Sequence, residues 1–135
     1  MRVFVVLCAG ILLITASGFG SADPAAAQSS NRSCFWPRNA RNFRSSTDDR
    51  TVFVRTNARD VWALEFFAPC QGVSWAHRAQ VRVRGGGGTV CEGRANAVDV
   101  HVPAWGSTRR QRCSVSNVRK LSTDEIAALP RSARP

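Results

Sequence analysis

Between Cys34 and Leu121, hydrophobic residues recur mostly at every second position, in short runs closed by turn-forming residues. A two-residue period puts successive side chains on opposite faces of a pleated strand, so this pattern predicts strands that each lay one face on a core. Residues 42–46 lead through Thr47-Asp48-Asp49-Arg50 into TVFVRT, 51–56. A hairpin is expected there, because Asp side chains bond their own backbone in tight turns while β-branched and aromatic flanks favour extended chain. Asn57 to Asp60 predicts the next turn. In VWALEFF, 61–67, Trp62, Leu64 and Phe66 share one face and Val61, Ala63, Glu65 and Phe67 the other, which predicts a strand buried on both sides.

Pro69 and Gly72 break that strand around Cys70, and Val73 to Ala76 begins a further extended piece. The cleanest alternation is QVRVR, 80–84, with Val81 and Val83 on one face and Gln80, Arg82 and Arg84 on the other. In AVDVHV, 97–102, Val98, Val100 and Val102 are expected in the core, with Asp99 and His101 on a wet face. Cys113 opens a last strand, CSVSNVRKL, and Ser122-Thr123-Asp124-Glu125 is a capping-box signature that starts a short helix stopped by Pro130. The tail 131–135 is expected to be disordered. In RVRGGGGTVC, 82–91, the residues after Gly88 favour strand. A phosphate cradle would instead lead into a helix N-terminus, so the glycines are expected to form a hairpin loop between two paired strands. The resulting fold class is mainly β: a small antiparallel barrel or roll with a short C-terminal helix, disulfide-stabilised, in one domain spanning 34–130.

The N-terminus changes the picture. Met1-Arg2 is followed by an apolar run, Val3 to Ala16, and a small-residue region ending in Ala25-Ala26-Ala27. This is the form of a secretory signal peptide, 1–27, and the run is shorter than the ~20 residues of a membrane span. Residues 28–33 are polar and expected to be flexible. No membrane span is expected after cleavage, and the destination is the periplasm or the exterior. Export leaves Cys34, Cys70, Cys91 and Cys113, an even number in an oxidising compartment, so two disulfides are expected. With the first and last strands taken as neighbours, Cys34 pairs with Cys113 and Cys70 with Cys91. There is no C-x-x-C, His77 and His101 stand at no metal-ligand spacing, and no motif points to a cofactor.

The formal net charge is +10, with Lys120 the one lysine among the cations. Such a charge predicts weak attraction to nucleic acid, acidic polysaccharide or anionic lipid without naming a partner. Arg82, Arg84, Arg109, Arg110 and Arg112 are the candidate anion-binding residues, the last three on a loop beside Trp105. Trp36, Trp62 and Trp75 are expected to pack in the core or at its edge.

Cys34 followed by RNFRSSTDDRTVFV, then VWALEFFAPCQGVSWA, GGTVCEG and CSVSNVRKL, together resemble an uncharacterised family of small exported bacterial proteins with four cysteines, a domain of unknown function. The resemblance covers about Cys34 to Leu121 and implies a small exported β domain with paired cysteines. It implies no activity, and therefore no catalytic residue.

The function expected from these features is that of an exported non-enzymatic protein, an envelope-associated binding module. The alternative is a secreted basic ribonuclease, in which His77 and His101 exchange protons with Glu65 or Glu92 while Arg82 or Arg84 holds phosphate. A small disulfide-bonded enzyme inhibitor is a further alternative, with no residue-level signature. Cleavage after Ala27 has a direct check: intact-mass analysis of protein exported from a bacterial host should give an N-terminus at Gln28. A start at Asp23 would move the cut to Ala22, and a retained leader would refute export.

Overall fold

The structure is a computed structural model and describes residues 32–135 except Asn96, Trp105 and Ser107. The expected leader 1–27, most of the segment 28–33 and Trp105 lie outside the described residues. Eight strands and one α-helix run in the order β1 (Cys34–Phe35), β2 (Asn42–Ser45), β3 (Thr51–Arg55), β4 (Val61–Phe66), β5 (Gln80–Val83), β6 (Val90–Cys91), β7 (Val98–Pro103), β8 (Arg110–Lys120) and α1 (Thr123–Ala128). Six of the strands make one antiparallel sheet, ordered β2-β3-β4-β8-β7-β5, and β1 pairs with β6 in a separate two-stranded ribbon. The large sheet curls into a half-barrel around one core of Val52, Val54, Trp62, Leu64, Val100, Val115 and their neighbours. Its edge strands, β2 and β5, bring Phe43 and Val83 against that core without pairing with each other.

The alternating runs account for most of this. Val81, Val98, Val100 and Val102 are buried as their period requires, while Gln80 and Arg82 face solvent. β4 is buried on both faces, because a second, smaller cluster forms on its reverse side. There Val61, Ala63 and Leu121 pack with Phe53 and with Ile126 and Leu129 of the C-terminal helical segment. α1 begins with the expected capping box: Glu125 N donates to Ser122 Oγ at 3.2 Å, and Ser122 N donates to Glu125 Oε2 at 2.7 Å. A bulge separates the Glu65↔Asn117 and Phe66↔Val115 pairs and leaves Ser116 unpaired on β8. That extra residue resets the two-residue period, so Val115 and Val118, three apart, both enter the core.

Four expectations are corrected. The disulfides are Cys34–Cys91 and Cys70–Cys113. β1 does not join the large sheet; it pairs with β6, which sets Cys34 directly opposite Cys91 at a Cα separation of 4.1 Å. Cys70 follows β4, whose neighbour is β8, and so meets Cys113 there. The tetraglycine segment is not a hairpin loop, since β5 pairs with β7 and β6 with β1. It carries the chain from one sheet to the other, and all four glycines take positive φ, between 70° and 139°, a run that residues with a Cβ avoid. Residues 73–75 form a 3-10 turn and not extended chain. The C-terminal residues are also placed: Arg131–Ala133 is a 3-10 turn, Ala133 is buried, and Arg55 Nε donates to Pro135 O at 2.8 Å.

Mapping of a non-reduced digest should therefore recover Cys34 joined to Cys91 and Cys70 joined to Cys113. Replacing either pair by serine should cost about 2–4 kcal/mol, the stabilisation typical of a bridge closing a loop of tens of residues. Recovery of Cys34 with Cys113 would refute the separate ribbon.

Candidate anion-binding groove

A groove of about 570 Å³ lies where the start of β5, the end of β7 and the start of β8 meet the chain just before β2. Strand register builds it. Gln80 of β5 stands opposite His101 of β7, which stands opposite Arg112 of β8, while Pro103 stands opposite Arg110. Arg41 is held at the entrance to β2 by its N–H donating to Arg55 O at 2.9 Å. His77 and Arg78 come from the segment between the 3-10 turn and β5. The groove is thus lined by Arg41, His77, Arg78, His101, Arg109 and Arg110 and, among the described residues, by no carboxylate. Guanidinium stays charged at any ordinary pH, so four of them in one concavity make a fixed positive field.

Two smaller hollows adjoin the groove. One, of about 260 Å³, shares His77 and Arg78 with it and is walled by Trp75, which is 70% exposed. The other, of about 310 Å³, shares Gln80 and lies between β5, the glycine segment and Trp36, 45% exposed, with the Arg38 guanidinium 4.8 Å from the Trp36 ring centroid. Gln80 links the spaces: its Oε1 accepts from Arg110 Nη1 at 3.3 Å and from Arg82 Nη2 at 3.1 Å.

The structure therefore divides the five candidate arginines. Arg109 and Arg110 line the groove, Arg82 lines the hollow beside Trp36, and Arg112 is exposed on β8 opposite His101. Arg84 has another task. Its Nε lies 3.0 Å from Oδ2 of Asp99, whose side chain is only 3% exposed. Asp99 was expected on a wet face; it is buried in β7 between two strands, and its Oδ1 has no hydrogen-bond partner among the described residues. An ionised carboxylate in that position depends on its one cation. The two carboxylates expected to assist the histidines are elsewhere: Glu65 accepts from Asn117 Nδ2 at 3.3 Å and Glu92 from Lys120 N at 2.8 Å.

Alternation identified Arg82, and the basic run before Cys113 gave Arg109, Arg110 and Arg112, of which Arg110 and Arg112 stand in β8 and not in the expected loop; Arg41 was missed, and Trp36 and Trp75 were misplaced. Both tryptophans lie outside alternating runs, in the polar contexts FWPR and SWAHR, which is the available sign that neither is core. Two carboxyls away from the groove have lowered pKa values. Lys120 Nζ, 2.8 Å from Asp60 and helped by Asn57, lowers the Asp60 carboxyl from its ordinary 3.8. The Ser122 amide and then Arg119 lower that of Glu125. Among the described residues no three His, Cys, Asp or Glu side chains gather as metal ligands would.

The fold and groove define a small, disulfide-bonded β protein with a cationic concavity. The chain belongs to a family of unknown function, DUF6491, which matches residues 1–135. It matches no curated protein and no solved structure. Among the described residues no helix is long and apolar enough to cross a membrane. The two disulfides are compatible with a periplasmic or extracellular location.

The Arg84–Asp99 pair makes a prediction. Arg84→Gln should destabilise the protein by about 1–3 kcal/mol, because it strands a buried charge, whereas Arg82→Gln and Arg112→Gln should stay within about 0.5 kcal/mol. Thermal unfolding of the three variants checks this; equal midpoints would remove the structural role given to Arg84.

Proposed function

We propose that the protein is an exported, non-enzymatic binding module that takes anionic chains along the arginine-lined groove. The observation that carries this reading is the gathering of Arg41, Arg78, Arg109 and Arg110 in one concavity with no carboxylate in its lining. A general excess of arginine would scatter cations over all wet faces, with carboxylates among them. The groove's size falls within the ~300–1,000 Å³ of ligand sites. Its open form suits a chain whose charged groups pass along the surface, and arginine forks suit phosphate or sulfate oxygens. Two disulfides suit a protein working in an oxidising compartment.

The test is binding of a fluorescein-labelled 12-mer oligo(dT) and of labelled heparin, by anisotropy, at low and moderate salt. Affinity should fall with salt, with a log–log slope near −3 for the oligonucleotide if about four phosphates are engaged. Arg78→Gln with Arg110→Gln should weaken binding about tenfold, through loss of two charge-assisted contacts. Arg59→Gln with Arg94→Gln removes the same charge from exposed positions outside the groove and should change affinity much less. Equal losses in the two double variants would reduce the groove to net charge alone.

A second reading, a ribonuclease, is favoured by one observation: His77 and His101 line the same groove as the arginines. In that reading one imidazole takes the ribose hydroxyl proton and the other protonates the leaving oxygen, with no carboxylate in attendance. Labelled RNA that is cut by the protein, and left intact by His77→Ala with His101→Ala, would establish it over the binding module.

A further inference from the structure

The three concavities adjoin one another along residues 72–88. The hollow at Trp75 shares His77 and Arg78 with the groove, and the groove shares Gln80 with the hollow at Trp36 and Arg82. From Trp75 to Val83 the chain spans at most ~3.3–3.6 Å per residue, so the path is no longer than about 30 Å. An indole stands exposed in the hollow at either side, and the arginines lie between them. We propose that these spaces form one track for single-stranded nucleic acid, in which bases stack on Trp36 and Trp75 while the arginines meet the intervening phosphates. The proposal rests on the anionic-chain reading above and names its ligand.

The aromatic pair is what selects this ligand over other polyanions. An anionic polysaccharide or polyphosphate needs only the cations, and a duplex buries the faces of its bases. An unpaired base offers a flat π-face to each indole, and stacking of this kind tolerates any sequence. Large apolar side chains this exposed are few here: among the described residues the large hydrophobics in that state are Trp36, Phe67 and Trp75, and two of the three line the track. Near Trp36 the wall is bare backbone, since Gly86, Gly87 and Gly88 line that hollow and an added Cβ at Gly86 or Gly87 would meet nothing within 4 Å. On the glycine side a planar base therefore meets backbone alone, and it shares the Trp36 ring with the Arg38 guanidinium. Arg38 over Trp36 supplies a further cation at the stacking position. Gln80 bonds an arginine from the groove and one from the hollow, so it fixes the two cations relative to each other across the junction.

The experiment uses the mature oxidised protein with a 12-mer oligo(dT), a duplex of equal length, polyphosphate and heparin, read by anisotropy and by intrinsic tryptophan fluorescence. Oligo(dT) should bind tighter than the duplex and quench the indole emission. Trp75→Ala and Trp36→Ala should each weaken oligo(dT) about tenfold and leave heparin affinity unchanged, while Trp36→Phe and Trp75→Phe should recover most of the loss. Thermal unfolding midpoints close to the parent's show that the alanine variants fold. If heparin and duplex bind as tightly as oligo(dT), and the alanine variants behave like the parent, the track is overturned and the groove stands as a general anion site. If no polyanion binds at low salt, the anionic-chain reading itself fails, and the track with it.

Discussion

Strand β8 pairs with β4 on one side and with β7 on the other, and these two ladders join what would otherwise be separate pieces. One piece is the meander β2-β3-β4, the other the pair β5-β7. The two-stranded piece in particular could not stand alone, since isolated two-stranded ribbons are marginal in water. β8 is the longest strand, and its bulge at Ser116 keeps Val115 and Val118 on the same face although they are three residues apart. Without that extra residue, one of the two valines would turn outward and the pairing with β4 would lose its core contact. The Cys70–Cys113 bridge reinforces this junction, tying the chain after β4 to the middle of β8.

The groove is a product of the same junction. β7 and β8 run antiparallel, so the end of one lies beside the beginning of the other, and His101 and Arg110 come to one place. β5 starts beside them because it pairs with the far edge of β7. The curl of the sheet then brings Arg41, at the entrance to the opposite edge strand, toward this corner. None of these side chains is close to another in sequence, apart from the His77–Arg78 and Arg109–Arg110 neighbours. What makes the corner positive is therefore topology as much as composition. Asp99, near the start of β7, is kept from offsetting that charge by its burial and its partner Arg84.

Local pattern made the strands legible and left their partners hidden. The alternation in QVRVR and AVDVHV is a property of adjacent residues, and the structure follows it. The capping box at Ser122 is likewise local, and it forms as written. Disulfide pairing is not local. Choosing Cys91 for Cys34 requires knowing that β1 leaves the large sheet, and no two-residue period contains that information. The glycine segment deceived for a related reason: strand-formers on both sides suit a hairpin, yet the two strands it joins belong to different sheets. Asp99 sits on the polar phase of β7 and is nevertheless covered, because a polar phase says which way a side chain points and not what lies above it. Trp36 and Trp75 reversed the usual rule that large aromatics pack inside.

The unpaired edges of the half-barrel have a consequence of their own. β2 and β5 each offer a free rim of backbone groups, the kind of surface along which two copies can add strand to strand. Both rims carry guanidinium: Arg41 and Arg44 at β2, Arg82 at β5. Like charge on both partners opposes such stacking. Neutralising these arginines, by substitution or by a bound counter-charge, lifts the repulsion from the same rims. The positive charge of this chain thus bears on colloidal behaviour as well as on the binding proposed for it, and the two cannot be tuned independently.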